Sequence, residues 1–237
     1  MSTPSQAIPI EESSADEPVD PAEVPPGLWY DRSSLVGDFM VMIDGQTEGD
    51  FLRYAPENRT CEFIDGIVYM PSPATLEHQF DNQILFFLLE GFTGERRSGI
   101  VLTGPAAVRL RPDCLLEPDA FVLPFDCEQQ MHGIYCEPPL LIVVEVLSRS
   151  NRSHDLSRKS ALYREAGVPE VYFIDDRDGV VIVERNADGA TVTDRVETGP
   201  VISRALPGFW FDASWLWASP RPNLLQCLVR ILAGPPA

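Results

Sequence analysis

The chain has 237 residues, of which 44% are hydrophobic and 9% aromatic, and its formal net charge is −18. This length carries one domain with a substantial core, or two small ones. The charge excludes a protein that grips nucleic acid through a broadly basic surface, and no apolar run approaches the roughly 18 residues a membrane helix needs.

The first 27 residues hold six acids (Glu11, Glu12, Asp16, Glu17, Asp20, Glu23), no Lys or Arg, and many Pro and Ser. Such a composition cannot bury enough apolar surface to offset ordering, so a disordered acidic tail is expected over 1–27. It lacks the basic start and apolar centre of an export signal. With five cysteines, an odd number and none in a CxxC pair, reduced thiols and a cytoplasmic protein are expected. A single domain is expected over 28–237.

Asp38 to Ile43 and Phe51 to Tyr54 open the ordered part. Cys61 to Met70 reads as a hairpin turning at Asp65-Gly66, the dipeptide that favours the left-handed turn conformations. From about Ala74 to Gly91, Leu76, Phe80, Ile84, Phe87 and Leu88 recur at helical spacing. His78 lies off that stripe, so it is either solvated, the reading favoured here, or turned toward a site at the helix start. Ile100 to Leu110 reads as a strand bent at Gly104-Pro105. Leu116 to Leu123 reads as another, with Asp119 following Pro118. The loop Phe125 to Pro139 contains Cys127, His132 and Cys136, but without the paired-cysteine spacing of a zinc site.

Leu140 to Leu147 is apolar except for Glu145, the pattern of a strand buried on both faces. A carboxylate there is costly unless paired, protonated or bound to a cation. After the polar turn Ser148 to Ser153, a helix is expected from about Ser153 to Ala166, with Gly167 as its cap and Pro169 beyond. Leu156, Lys159 and Tyr163 share one face of it. Lys159 is the only lysine in the chain, placed on the stripe that should face the sheet. A compact ammonium there suits positioning a water or a phosphate oxygen better than a planar guanidinium does. Val171 to Asp175 is a short strand, Val180 to Glu184 and Ala190 to Glu197 form a hairpin, and Leu224 to Leu232 is a terminal helix. Phe209, Trp210, Phe211, Trp215, Leu216 and Trp217 read as core, with a homodimer interface as the other use of such a stretch.

The middle of the chain thus runs αβββαβ, which predicts an α/β (α+β) fold with a mixed central sheet flanked by helices, plus extra β-hairpins. Two carboxylates on adjacent strands, Asp119 and Glu145, can share one hard cation such as Mg²⁺, whose remaining positions go to water and phosphate oxygens. Lys159 would stand beside them.

The residues Pro118-Asp119, Glu145-Val146-Leu147-Ser148, Asp155, Lys159, Tyr163, Gly167-Val168-Pro169-Glu170 and Val171-Tyr172-Phe173-Ile174-Asp175 resemble the Uma2 family (domain of unknown function 820). That family belongs to the PD-(D/E)XK, restriction-endonuclease-like superfamily. Cys61-Glu62-Phe63-Ile64-Asp65-Gly66 is similar to the family's E-L-I-D-G stretch and Pro207-Gly208 to its C-terminal P-G, so the resemblance spans about residues 51 to 217. It implies a restriction-endonuclease-like core and a metal-dependent phosphodiesterase site. Asp119 would be the aspartate of the PD motif and Glu145 the acid of the (D/E)XK half-motif, together the metal ligands. The superfamily lysine position, two residues after that acid, holds Leu147, and the resemblance assigns its role to Lys159 on the helix. Glu62 and His78 would add to the metal shell, and Arg149 and Arg152 could reach phosphate.

The expectation is therefore a Mg²⁺-dependent endonuclease, with Mn²⁺ as the other usable cation. Its partner would be nucleic acid, DNA before RNA. The contrasting expectation is a nuclease-fold protein that no longer cuts and serves in binding or regulation, because a fold does not dictate an activity.

Overall fold

A computed structural model describes residues 40–55, 60–71, 74–147, 155–187 and 189–236. The acidic tail and the turn carrying Arg149 and Arg152 lie outside the described residues. In chain order the strands and helices begin with β1 (Met40–Ile43), α1 (Glu48–Tyr54), β2 (Glu62–Ile64), β3 (Ile67–Pro71) and α2 (Leu76–Arg96). Then come β4 (Ile100–Thr103), β5 (Ala107–Arg111), β6 (Cys114–Leu116), β7 (Ala120–Leu123), β8 (Met131–His132), β9 (Tyr135–Cys136) and β10 (Ile142–Val146). A π-helical turn at Asp155–Lys159 runs into Ser160–Glu165, here together α3. The chain closes with β11 (Glu170–Asp175), β12 (Val180–Ala187), β13 (Ala190–Val196), β14 (Pro200–Ile202), β15 (Trp210–Asp212), α4 (Ser214–Trp217) and α5 (Leu224–Leu232).

The central sheet has six strands in the order β13-β12-β11-β10-β7-β4. It is mixed: β10 runs parallel to β11 and antiparallel to β7. The parallel pair is joined by α3, the crossover helix a parallel connection requires. Every residue of β10 and β11 is buried, as expected of strands covered on both faces. One face, with Ile142, Val144, Tyr172 and Ile174, packs under α2, α5 and the C-terminal aromatics Phe209, Phe211 and Trp215. Those aromatics are core, so they offer no free surface for a homodimer. Gly91 of α2 lies so close to α5 that a Cβ would stand 2.5 Å from Leu228 Cδ2, and the lack of a side chain lets the helices approach.

The other face, with Phe121, Val143, Val171 and Phe173, packs with Leu162 and Tyr163 of α3 against a second sheet. That sheet has seven strands, ordered β1-β3-β2-β6-β5-β9-β8. Asp65 (φ 49°) and Gly66 (φ 88°) turn β2 into β3, as the Asp-Gly signal predicted. Phe51 of α1 covers the outer side of this sheet, on Phe63, Val68 and Met70.

Two expected strands prove to be four. Ile100 to Leu110 divides at Gly104-Pro105, with β4 in the central sheet and β5 in the second. Leu116 to Leu123 divides at Glu117-Pro118-Asp119, with β6 in the second sheet and β7 in the central one. Each proline stands where the chain changes sheets, because it cannot donate to either ladder. The two corners touch, with Gly104 N–H donating to the Asp119 carbonyl at 3.3 Å. Asp119 therefore sits at a sheet corner rather than inside a strand.

Candidate active site at the sheet corner

The antiparallel register of β7 and β10 pairs Ala120 with Val144, Phe121 with Val143 and Val122 with Ile142. One step further it brings Asp119 opposite Glu145. Asp119 Oδ2 accepts from the Val146 N–H at 2.7 Å. Its Oδ1 lies 2.7 Å from His78 Nε2, and its carbonyl accepts from Asn82 Nδ2 at 3.1 Å. His78 and Asn82 stand one turn apart on α2. Thr75 caps that helix by accepting from the His78 N–H at 3.2 Å, which fixes the first turn and aims His78 at the corner. His78 is thus drawn into the site, and the solvated reading of it does not hold.

Glu145 points into the space between the sheets. Lys159 Nζ donates to its Oε1 at 3.1 Å and its Oε2 at 3.0 Å, and the Tyr163 hydroxyl also donates to Oε1. Lys159 and Tyr163 are one turn apart where the π-turn becomes α-helix, and the wider turn sets their spacing. Such π-turns recur at functional sites. Lys159 Nζ also lies 2.7 Å from Glu62 Oε1 on β2 of the second sheet. The only lysine of the chain, 6% exposed, therefore ties both sheets together through two carboxylates.

Next to Glu62 is a residue the sequence reading passed over. Glu117, at the start of the crossover, accepts from the Cys61 N–H at 3.1 Å, while its own N–H faces Glu62 Oε1 at 3.4 Å. Burial, reinforced by the Glu62 charge, pushes the Glu117 carboxyl up to about 8, so it holds a proton at neutral pH. Tyr163 is fully buried and also a site residue. Its burial and the Glu145 charge hold its hydroxyl well above the ordinary tyrosine range, which keeps it a donor. The remaining sequence candidates, Arg149 and Arg152, lie outside the described residues. Leu147, at the superfamily lysine position, packs partly buried beside the inter-sheet core, while the ammonium of Lys159 reaches Glu145 from the helix.

A family model, Uma2, described as "Putative restriction endonuclease", matches residues 49–214. The chain belongs to the Uma2 family. Among solved structures, a "putative nuclease belonging to DUF820" from Anabaena variabilis superposes with a TM-score of 0.58 at 15% sequence identity, covering 78% of this chain and 98% of that one. At that identity the likeness shows the shared fold. No curated protein matches the chain. The family match includes the whole corner, from Glu62 through His78, Asp119 and Glu145 to Lys159 and Tyr163.

The chemistry of this Uma2 corner can be tested against a divalent cation. Among the described residues no three His, Cys, Asp or Glu side chains converge as a ready cage. Asp119, at the corner just before β7, and Glu145, on the neighbouring β10, supply two carboxylates, which is what Mg²⁺ takes when water and phosphate fill its other positions. An ionised carboxylate has about four acceptor sites, enough to serve protein donors and a cation together. Such oxygen donors are of the kind a hard divalent cation takes.

Proposed function

We propose that the protein is a divalent-cation-dependent endonuclease that hydrolyses phosphodiester bonds, of DNA in preference to RNA. The observation that carries this reading is the register of Asp119 against Glu145, with Lys159 hydrogen-bonded to both oxygens of Glu145. The preference for DNA is supported by the family's description as a restriction endonuclease.

Asp119 and Glu145 would hold Mg²⁺ or Mn²⁺. Held there, such a cation would lower the pKa of a water and offset negative charge at the phosphorus. The chain's own residues prepare the place for it. The Val146 N–H and His78 fix the Asp119 carboxylate, and Lys159 and Tyr163 fix that of Glu145. Neither carboxylate then needs to reorganise as charge develops, the condition under which fixed dipoles and charges lower a barrier most. Glu62 holds the Lys159 ammonium from its other side, keeping one positive charge beside the phosphate position. Glu117, protonated at neutral pH, adds no repulsion.

A second reading has its own observation. Leu147 stands where the superfamily pattern has lysine, and Lys159 is enclosed between two carboxylates. A protein that binds cation and nucleic acid without cutting would show these features too. The test is cleavage of plasmid, linear duplex, single-stranded DNA and RNA in Mg²⁺ or Mn²⁺ at low salt, by wild type and by the Glu145→Ala and Lys159→Ala variants. Cleavage lost in both variants supports the endonuclease. Cation binding without cleavage of any polymer supports the second reading.

A further inference from the structure

Beside the corner, α2 and the edge strand β4 enclose a groove of about 370 Å³, lined by Leu76, Gln79, Phe80, Asn82, Gln83, Phe86 and Thr103. That volume lies within the range of small-ligand clefts. Its wall includes apolar surface that folding leaves uncovered: Leu76 is 73% exposed and Phe80 44%. Helix periodicity explains why. Leu76, Phe80 and Gln83 form a stripe next to the one that buries Ile84 and Leu88, so it faces past the sheet edge rather than onto it.

The groove joins the corner directly. Asn82 belongs to both, lining the groove while its Nδ2 donates to the Asp119 carbonyl. Thr103 pairs with Ala120, the neighbour of Asp119. We infer that this groove seats one unpaired nucleobase of the nucleic-acid strand whose phosphate lies at Asp119 and Glu145, making single-stranded DNA the favoured substrate.

Two observations select this occupant. The Arg221 guanidinium lies over the Phe80 ring, 4.0 Å from its centroid, so the surface offered to a base is this aromatic–arginine stack. An aromatic platform with an adjacent arginine is how sequence-tolerant sites hold single strands, by stacking a base and attracting its backbone. Three carboxamides, Gln79, Asn82 and Gln83, line the same groove, and carboxamides match the donor–acceptor edges of bases, adenine above all. A purely apolar partner would cover Gln79 and Gln83 without meeting their hydrogen-bonding groups.

The inference rests on the phosphodiesterase reading of the corner, and the test separates the two. Binding of a short fluorescein-labelled oligodeoxynucleotide is followed by anisotropy in Ca²⁺, and cleavage in Mg²⁺. The proteins are full-length wild type, Phe80→Ala, Gln83→Ala and Glu145→Gln. The expected result is tighter binding of the single strand than of its duplex and a loss of roughly tenfold for Phe80→Ala. One abasic position in the oligonucleotide should reproduce that loss in wild type and add nothing in Phe80→Ala.

Unchanged affinity in Phe80→Ala and Gln83→Ala, or duplex bound as tightly as single strand, overturns the inference. So does a change in sedimentation of Phe80→Ala without a change in DNA binding, which marks the groove as a contact between two copies of the chain. Cleavage lost in Glu145→Gln with affinity unaltered in both groove variants refutes the groove and leaves the endonuclease standing. Base-dependent binding by a wild type that never cleaves refutes the endonuclease and upholds the groove.

Discussion

Asp81 on α2 gives a sharp test of the energetics around the corner. It is 2% exposed, and its Oδ2 has no hydrogen-bond partner among the described residues. Burial, aided by the Asp176 charge and only partly opposed by Arg221 and His78, pushes its carboxyl from 3.8 up to about 7. The native state therefore keeps a proton that the unfolded chain releases above pH 4. Between pH 4 and 7 the unfolded state binds fewer protons, so native stability falls as pH rises. At 1.36 kcal/mol per pH unit, the full effect above pH 7 is at most about 4 kcal/mol. Asp81→Asn keeps the shape and removes the titration. In urea denaturation the variant should match wild type within about 0.5 kcal/mol at pH 4 and exceed it by about 2–4 kcal/mol at pH 8. A variant less stable than wild type at pH 8, or a difference that does not change with pH, would refute the reasoning.

Other consequences follow from the inter-sheet cluster. Lys159→Met leaves Glu62 and Glu145 facing each other without their shared cation, at a cost of about 3–5 kcal/mol. Urea titration reads the loss, and adding Glu62→Gln should recover part of it; no recovery would mean that the ion pairs are not its source. Tyr163→Phe removes one donor to the Glu145 carboxylate and should cost about 1.5–3 kcal/mol in the same assay, and a smaller cost than about 0.5 kcal/mol would show the hydroxyl is not needed there. Glu117, held up to about 8, keeps its proton in the native state while the unfolded chain loses it above its ordinary value of 4.5, so it too lowers stability as pH rises between the two. Glu117→Gln should therefore flatten the stability profile from pH 5 to 8 while still accepting from the Cys61 N–H, and an unchanged slope would contradict the assigned protonation.

Local patterns carried much of this fold. The apolar run with Glu145 inside it became the buried strand β10, and the Asp-Gly signal became the β2–β3 turn. The stripe of Leu156, Lys159 and Tyr163 did turn inward, which put the one lysine on the carboxylates. What local patterns could not carry was sheet membership. The residues on either side of Gly104-Pro105 and of Pro118 are equally strand-like, and only non-local pairing assigns them to different sheets. That change of sheet is what brings Glu62, on a hairpin far back in the sequence, to Lys159. His78 was misjudged by periodicity because a helix's first turn projects past the sheet end, where an off-stripe residue can still meet the strand corner. Glu117 left a faint signal, an acid next to a proline between apolar runs. Tyr163 was indistinguishable from an ordinary core aromatic until Glu145 was seen under its hydroxyl.

The central claim is that Asp119 and Glu145, supported by Lys159, act together on a phosphodiester in the presence of a divalent cation. It is tested most directly by the single-turnover rate of DNA cleavage in Mg²⁺ by wild type and Glu145→Gln, with circular dichroism confirming that the variant is folded. The account predicts cleavage by wild type that chelation stops, and a rate at least about a hundredfold lower in the folded variant. A folded Glu145→Gln that cuts as fast as wild type, or a wild type whose rate is indifferent to the cation, would contradict it.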